Sequence, residues 1–406
     1  MGSMTFMSQA TPPMLRMLNV LLLPGARTRQ DPDAAFEKLL AEAQRGHRPL
    51  GAKDLAAVEP LRLLLRAHAA NPHLSAFGWT TVQGGIRDRL RNRTIVRDIQ
   101  AKHPEVKEQP ITAPVFVIGL PRTGTTFTYN LIARSPGSRG PLLWEMLNLG
   151  LPVQDPAERR RIAERTTKRL SFMDRLSPDW SQVHPLIATS EEEDFFLRDH
   201  SEMHTTSSTV PEYRRYLEGA DLTDDFVLLR EALQVMSFGQ EPRRWILKHP
   251  ANLWRIPEIL RAFPDARFVW THRAPGKALA SGCSMSEVLR NMHYKPGTVD
   301  LEAIGAEWLA MLSEGVDRAL TQRDQLDDGV LVDVSYSDLV EEPAKVMRGV
   351  FDSLGMAWTE TDDANLAAAQ DRPHHKGHKY TLERYGLDEF QVAAAFAGYR
   401  LPSVLS

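Results

Sequence analysis

The chain has 406 residues, 42% of them hydrophobic and 25% charged, an ordinary balance for a globular protein with room for one large domain or two modest ones. Its net charge of −3 gives no reason to expect bulk binding to nucleic acid or acidic membranes, so any anion site must be built locally. A single cysteine, Cys283, rules out an intrachain disulfide framework and fits a reducing compartment.

At the amino end the apolar run Leu18 to Leu23 is stopped by Pro24 and Gly25, far short of the roughly 20 residues that span a bilayer. No small-residue cleavage site follows it, and Phe6 stands where a myristoylation signal needs Ser or Thr. The chain therefore reads as cytoplasmic, without a transmembrane segment. Residues 31–46, 55–72 and 74–101 carry apolar side chains at helical spacing, with Asp31 and Pro32 as a start signal and Gly46 as a stop. Their apolar and aromatic content suits a helical extension, residues 1–109, that packs on the main domain and shapes a substrate mouth.

The texture changes at Pro110, where the second unit, 110–406, begins. TAPVFVIGL (112–120) is a β-branched apolar run leading into GLPRTGTT (119–126), and residues 125–137 read as a helix. Further buried strands are expected at 243–248, 266–273 and 329–336, with helices at 251–263 and 300–320 between them. Short apolar strands alternating with helices predict a three-layer α/β/α fold around a central parallel sheet.

Strand, glycine loop and helix together make an anion cradle from backbone amides and the positive helix end. Arg122 adds a planar cation, and Thr125 and Thr126 add hydroxyls, but position 125 is Thr where a nucleotide triphosphatase carries Lys. The neighbouring strand tips offer Lys248 with His249, and His272 with Arg273, while Asp333 lies inside its strand. Cations at the tips favour charge neutralisation by the protein without a metal, instead of the carboxylate-held Mg²⁺ of phosphoryl transfer.

VIGLPRTGTT, followed about twenty residues later by LWEM, resembles the PAPS-dependent sulfotransferases. Pro121 to Thr126 matches their phosphosulfate loop P-[KR]-[ST]-G-T-T, and the bacterial Arg-type branch related to tyrosylprotein sulfotransferases is the most similar. The likeness runs from about Pro114 to Gly386. It implies transfer of a sulfuryl group from 3′-phosphoadenosine 5′-phosphosulfate (PAPS) to a hydroxyl of a small-molecule or lipid acceptor, with no metal and no nucleic-acid partner. Arg122, Thr123, Gly124, Thr125 and Thr126 would hold the 5′-phosphosulfate, and Arg273 with Ser281, eight residues later, the 3′-phosphate. Arg372, Lys376 and Gly377 resemble the family's late basic lid, in a segment that also holds His374, His375 and His378.

Lys248 and Arg122 would stabilise the departing oxygen, and two residues are candidates for the base. Glu145 falls where the Arg-type branch places a catalytic glutamate. His249 resembles the histidine of the cytosolic enzymes, although it directly follows its lysine here. In TSEEEDFFL (189–197), Ser190 and Glu193 have capping-box spacing, which predicts a helix start with a solvated acidic face. Glu192 or Asp194 facing the acceptor is the other reading of that run, and no role is assigned to His184 or His204. The competing functions are a P-loop small-molecule kinase using Mg-ATP and a non-catalytic nucleotide-binding module.

Overall fold

The computed structural model describes residues 12–177, 179–371 and 381–401, with backbone alone for Ser181, Gln182 and Met203. Its sheet has five strands: β1 (Val115–Gly119), β2 (Ser138–Arg139), β3 (Arg244–Lys248), β4 (Arg267–His272) and β5 (Leu331–Ser335). They lie in the order β2-β3-β1-β4-β5, and every pairing is parallel. Strand alternation sends Phe116, Ile118, Trp245, Leu247, Phe268 and Trp270 to one core, shared with helices Thr223–Ser237, Ile256–Ala262 and Leu301–Arg323. Val115, Val117, Ile246, Val269 and Val334 point the other way, onto helices Thr125–Ala133 and Pro343–Ser353. Both faces are covered, as a parallel sheet requires, so the chain has the expected three-layer α/β/α fold.

The predicted elements are present with trimmed ends. Residues 125–137 contribute a helix only to Ala133, after which the chain turns into the two-residue β2. Residues 251–263 divide into a 3₁₀ turn, Pro250–Trp254, and the helix Ile256–Ala262. The acidic run departs from its reading: Ser190 and Glu193 form no capping box, and the one helical stretch there is a 3₁₀ turn, Asp194–Leu197.

Three helices, Pro32–Ala43, Ala52–Ala70 and Ala76–Lys102, make up most of the amino-terminal layer. The Asp31 side chain accepts from the Ala34 amide at 2.9 Å, as the start signal requires. Phe36, Leu61, Leu65 and Leu90 share one core with Val210, Tyr213, Leu217 and Tyr294, so these helices are packed into later parts of the chain. Arg93 pins the contact: it is buried between Asp54 at 2.8 Å and Asp199 at 2.6 Å. Among the described residues no helix is long and apolar enough to cross a membrane.

Removing that cation would leave Asp199 buried without its partner, while Asp54 keeps Arg97 at 2.8 Å. Arg93→Met is expected to lower the unfolding free energy by about 3–5 kcal/mol, read by denaturant titration. A loss below about 1 kcal/mol would show that Arg93 does not hold the layers together.

Candidate active site

Parallel strands bring the β1 loop and the tips of β3 and β4 to one edge of the sheet, the carboxyl edge, where open α/β folds bind ligands. The loop takes its shape from three positions. Gly119, paired in register with Thr271, leaves no room for a Cβ, which would stand 2.5 Å from the Thr271 carbonyl oxygen. Gly124 has φ +92°, and Arg122 adopts φ +65°, a left-handed conformation uncommon outside glycine. The Thr123 hydroxyl is fully buried, donating to the Leu120 carbonyl at 2.6 Å and lying 2.7 Å from the Thr271 hydroxyl. It braces the loop from beneath, so what Thr123 has left to offer a ligand is its backbone.

The helix Thr125–Ala133 starts at the loop and turns its first amides outward. Thr126 and Arg122 are exposed there, and Thr125 is buried. Arg273 is tied to the same loop. Its Nη1 donates to the Arg122 carbonyl at 2.8 Å, and its guanidinium lies 3.8 Å from the Tyr336 ring centroid. Ser281 follows two turns into the helix Pro275–His293 and is buried. The loop residues and Arg273 are thus brought together. Arg372, Lys376 and Gly377 lie outside the described residues.

The other wall of the site is the segment 191–202, whose acidic side chains are buried and matched to cations from different elements. Glu191 meets Arg134 at 2.6 Å, Glu193 meets Lys248 at 2.7 Å, Asp194 meets Arg198 at 3.2 Å and Glu202 meets Arg255 at 2.8 Å. The Tyr129 hydroxyl, on the loop helix, donates to the Glu192 carbonyl at 3.2 Å and fixes the strip beside the loop. A solvated helix face is therefore the wrong description of this run. Its carboxylates form a buried strip because cations neutralise them, Arg198 from within the segment and Arg134, Lys248 and Arg255 from distant parts of the chain.

Lys248 illustrates the balance. Burial disfavours its charge, but Glu193 and Glu192 outweigh burial and raise its pKa, so it remains an ammonium at the β3 tip. Glu192 is matched differently from its neighbours. Its Oε1 lies 3.6 Å from Nε2 of His184, whose side chain is 30% exposed. Burial opposes the imidazolium, yet the Glu192 carboxylate and the Glu193 charge prevail and raise the His184 pKa. Burial likewise opposes the Glu192 carboxylate, and His184 and Lys248 bring its pKa below the usual value. Ligand atoms of His184, Glu192 and Glu193 lie within 4.8 Å of one another, a spacing that could hold a metal ion, but the Lys248 ammonium occupies the Glu193 oxygen and opposes a second cation.

The two sequence candidates for a base lie in other surroundings. Glu145 Oε2 accepts from Arg139 at 2.7 Å and from the Leu142 amide at 3.1 Å, closing a cap on its own helix, Leu143–Leu147. It lines a cleft with Gly137, Gln240 and Arg243, which precede β2 and β3, so it stands toward the amino edge of the sheet, away from the loop. His249 is 1% exposed, and its Nδ1 accepts from the Ala251 amide at 2.9 Å. The ring proton therefore sits on Nε2, facing Ser201 Oγ at 3.3 Å, and burial pushes the pKa down to about 3. His249 anchors the turn after β3 with its lone pair already used. His272 is also structural, bridging Tyr399 at 2.9 Å and Asp333 at 2.7 Å.

Comparison with known proteins follows the same lines. A family described as "Sulfotransferase family" matches residues 114–360. The chain is 24% identical over 259 residues to omega-hydroxy-beta-dihydromenaquinone-9 sulfotransferase Stf3 of Mycobacterium bovis, covering 60% of this chain and 63% of that protein; the Mycobacterium tuberculosis protein of the same name matches equally. The match thus spans less than two thirds of these curated relatives. Among solved structures, sulfotransferase STF1 of Mycobacterium tuberculosis is 26% identical with a TM-score of 0.79, covering 89% of this chain and 98% of that one. STF9 of Mycobacterium avium is 25% identical with a TM-score of 0.80, covering 90% and 95%.

The His184–Glu192 pair has a titration signature. A histidine whose folded pKa is raised contributes stability that is complete below its unfolded pKa, near 6.5, and is lost as pH rises through the folded value. The His184 ring protons are expected to titrate above 6.5 by NMR, and Glu192→Gln should bring the midpoint down. An unchanged midpoint in that variant would show that the two groups do not interact.

Proposed function

The chain belongs to the sulfotransferase family, and from that premise we propose that it transfers a sulfuryl group from PAPS to an acceptor hydroxyl. The observation that carries this reading is the junction of Arg273 with the Arg122 carbonyl, which joins a 5′-phosphosulfate cradle and a 3′-phosphate cation into one rigid unit. Backbone amides of 122–126, the Arg122 guanidinium and the Thr125 and Thr126 hydroxyls would bind the phosphosulfate. Arg273 and Ser281 would receive the 3′-phosphate. In-line displacement moves the sulfuryl group from the phosphate oxygen to the acceptor oxygen, and Lys248 with Arg122 stabilises the charge left on the phosphate. These protein cations supply the neutralisation, and the mechanism assigns no step to a metal.

For the acceptor's proton the geometry supports His184, oriented by Glu192, over Glu145 and His249. His184 combines partial exposure with a carboxylate partner, while Glu145 closes a helix cap and His249 has spent its Nδ1. The proton passes from the acceptor oxygen to the neutral His184 ring, and Glu192 stabilises the imidazolium so formed. The acceptor class follows from the relatives: Stf3 is named for a menaquinone derivative, and a lipid-like alcohol is the acceptor proposed for this chain. The buried Cys283 thiol is compatible with a reducing, cytoplasmic location.

Turnover of ³⁵S-labelled PAPS with a phenolic or lipid alcohol tests the assignment. Glu192→Gln and His184→Ala are expected to reduce kcat by about 10²–10⁴, with nucleotide affinity preserved. In the wild-type protein kcat should rise with pH through the elevated His184 pKa, and Glu192→Gln should move that limb to lower pH. A comparable loss in Glu145→Gln with full activity in Glu192→Gln would return the base to Glu145.

A further inference from the structure

The amino-terminal helix Pro13–Leu21 has two apolar sides. Leu15, 1% exposed, packs into a small core with Phe77, Leu176 and Met292. On the other side Met17, Val20, Leu21 and Leu23 are 57–66% exposed, a continuous apolar stripe of the kind that marks an interaction surface. Met173 and Leu176 belong to the same small core, so the carboxyl end of the helix Pro156–Leu176 stands beside the helix that carries the stripe.

That second helix has an unusual outer face. Arg161, Arg165, Lys168, Phe172 and Arg175 recur at alternating four- and three-residue steps, the spacing of one helical face, and all five are exposed. Glu158 approaches Arg161 and Arg165 at 3.8 Å, at the end away from Phe172. Lys168, Phe172 and Arg175 lie exposed in the half of this helix nearer the small core, and Arg27 is exposed four residues beyond Leu23. The net charge of −3 averages this local face away.

We propose that this face docks on an anionic phospholipid bilayer, with the apolar stripe entering the headgroup boundary and the basic row lying against lipid phosphates. Charge decides between occupants. A pairing of two copies through this face would gather the cations of both at one interface, whereas anionic headgroups neutralise them. The helix that carries the stripe is linked to the candidate site by packing: Trp180 joins the same small core, and its ring lies 5.6 Å from that of His184. The purpose of docking rests on the lipid-acceptor reading above; the docking itself does not.

Co-sedimentation of the full chain with large vesicles tests the proposal. Vesicles of phosphatidylglycerol and phosphatidylcholine in equal parts should bind the protein, pure phosphatidylcholine should bind it far less, and salt should weaken the binding. The double variant Val20→Glu, Leu21→Glu should abolish binding, and Lys168→Gln and Arg175→Gln should each weaken partitioning about fivefold. All of these variants should keep the wild-type melting temperature and the wild-type rate with a water-soluble acceptor, so loss of docking is separable from failure of the sulfotransferase reading. Three results would overturn the proposal: no binding to the mixed vesicles, binding indifferent to the stripe variants, or a wild-type dimer in sedimentation equilibrium that the stripe variants dissolve.

Discussion

A buried carboxylate needs a cation or hydrogen-bond donors held in place beside it, and the segment 191–202 meets that demand with cations repeatedly. Its acids draw Arg134 from the loop helix, Lys248 from the β3 tip, Arg93 from the long amino-terminal helix and Arg255 from the turn after β3. Each buried ion costs several kcal/mol in lost hydration and is stable only if its partner is correctly placed. One irregular stretch of chain thereby fixes the relative positions of sheet, loop and helical layer. The site lies where these constraints meet.

Within the strip, Glu192 differs in the nature of its partner. Arg93, Arg134 and Lys248 keep their charge across the physiological range, but His184 is an imidazole whose pKa is raised by Glu192 and Glu193 against the effect of burial. A site for sulfuryl transfer needs both kinds of group: permanent cations where an anionic donor sits, and a titratable group where the acceptor loses its proton. In the proposed function the loop, Arg273 and Lys248 are the first along the carboxyl edge of the sheet, and His184 with Glu192 is the second on the facing wall. Arg273 holding the Arg122 carbonyl keeps the donor side rigid before any ligand arrives.

The donor side was legible in the sequence because its determinants are local. Glycines that admit no Cβ, a β-branched run and a helix start lie within twenty residues, and an Arg and a Ser mark the other half. The adjacency of Lys248 and His249 also carried information, since neighbours on extended chain diverge: one turns to Glu193 and the other to the Ala251 amide. The facing wall was illegible for the converse reason. Ser190 and Glu193 have capping-box spacing whether their surroundings are wet or buried, and only Lys248, 55 residues away from Glu193, decides the matter. The surroundings of Glu145 were illegible too, because its partner Arg139 lies on the two-residue β2, too brief to show a strand period. His184 had no partner in sequence because its partner belonged to the misread run.

The central claim is that the carboxyl edge of the sheet is a cradle for an adenosine 3′,5′-bisphosphate unit, built from the loop and Arg273. Calorimetric titration with adenosine 3′,5′-bisphosphate in EDTA tests it most directly. The account predicts one-to-one binding without a divalent metal, weakened about ten- to a hundredfold in Arg273→Met. Binding of ATP that requires Mg²⁺ and exceeds that of the bisphosphate, or a bisphosphate affinity indifferent to Arg273, would contradict it.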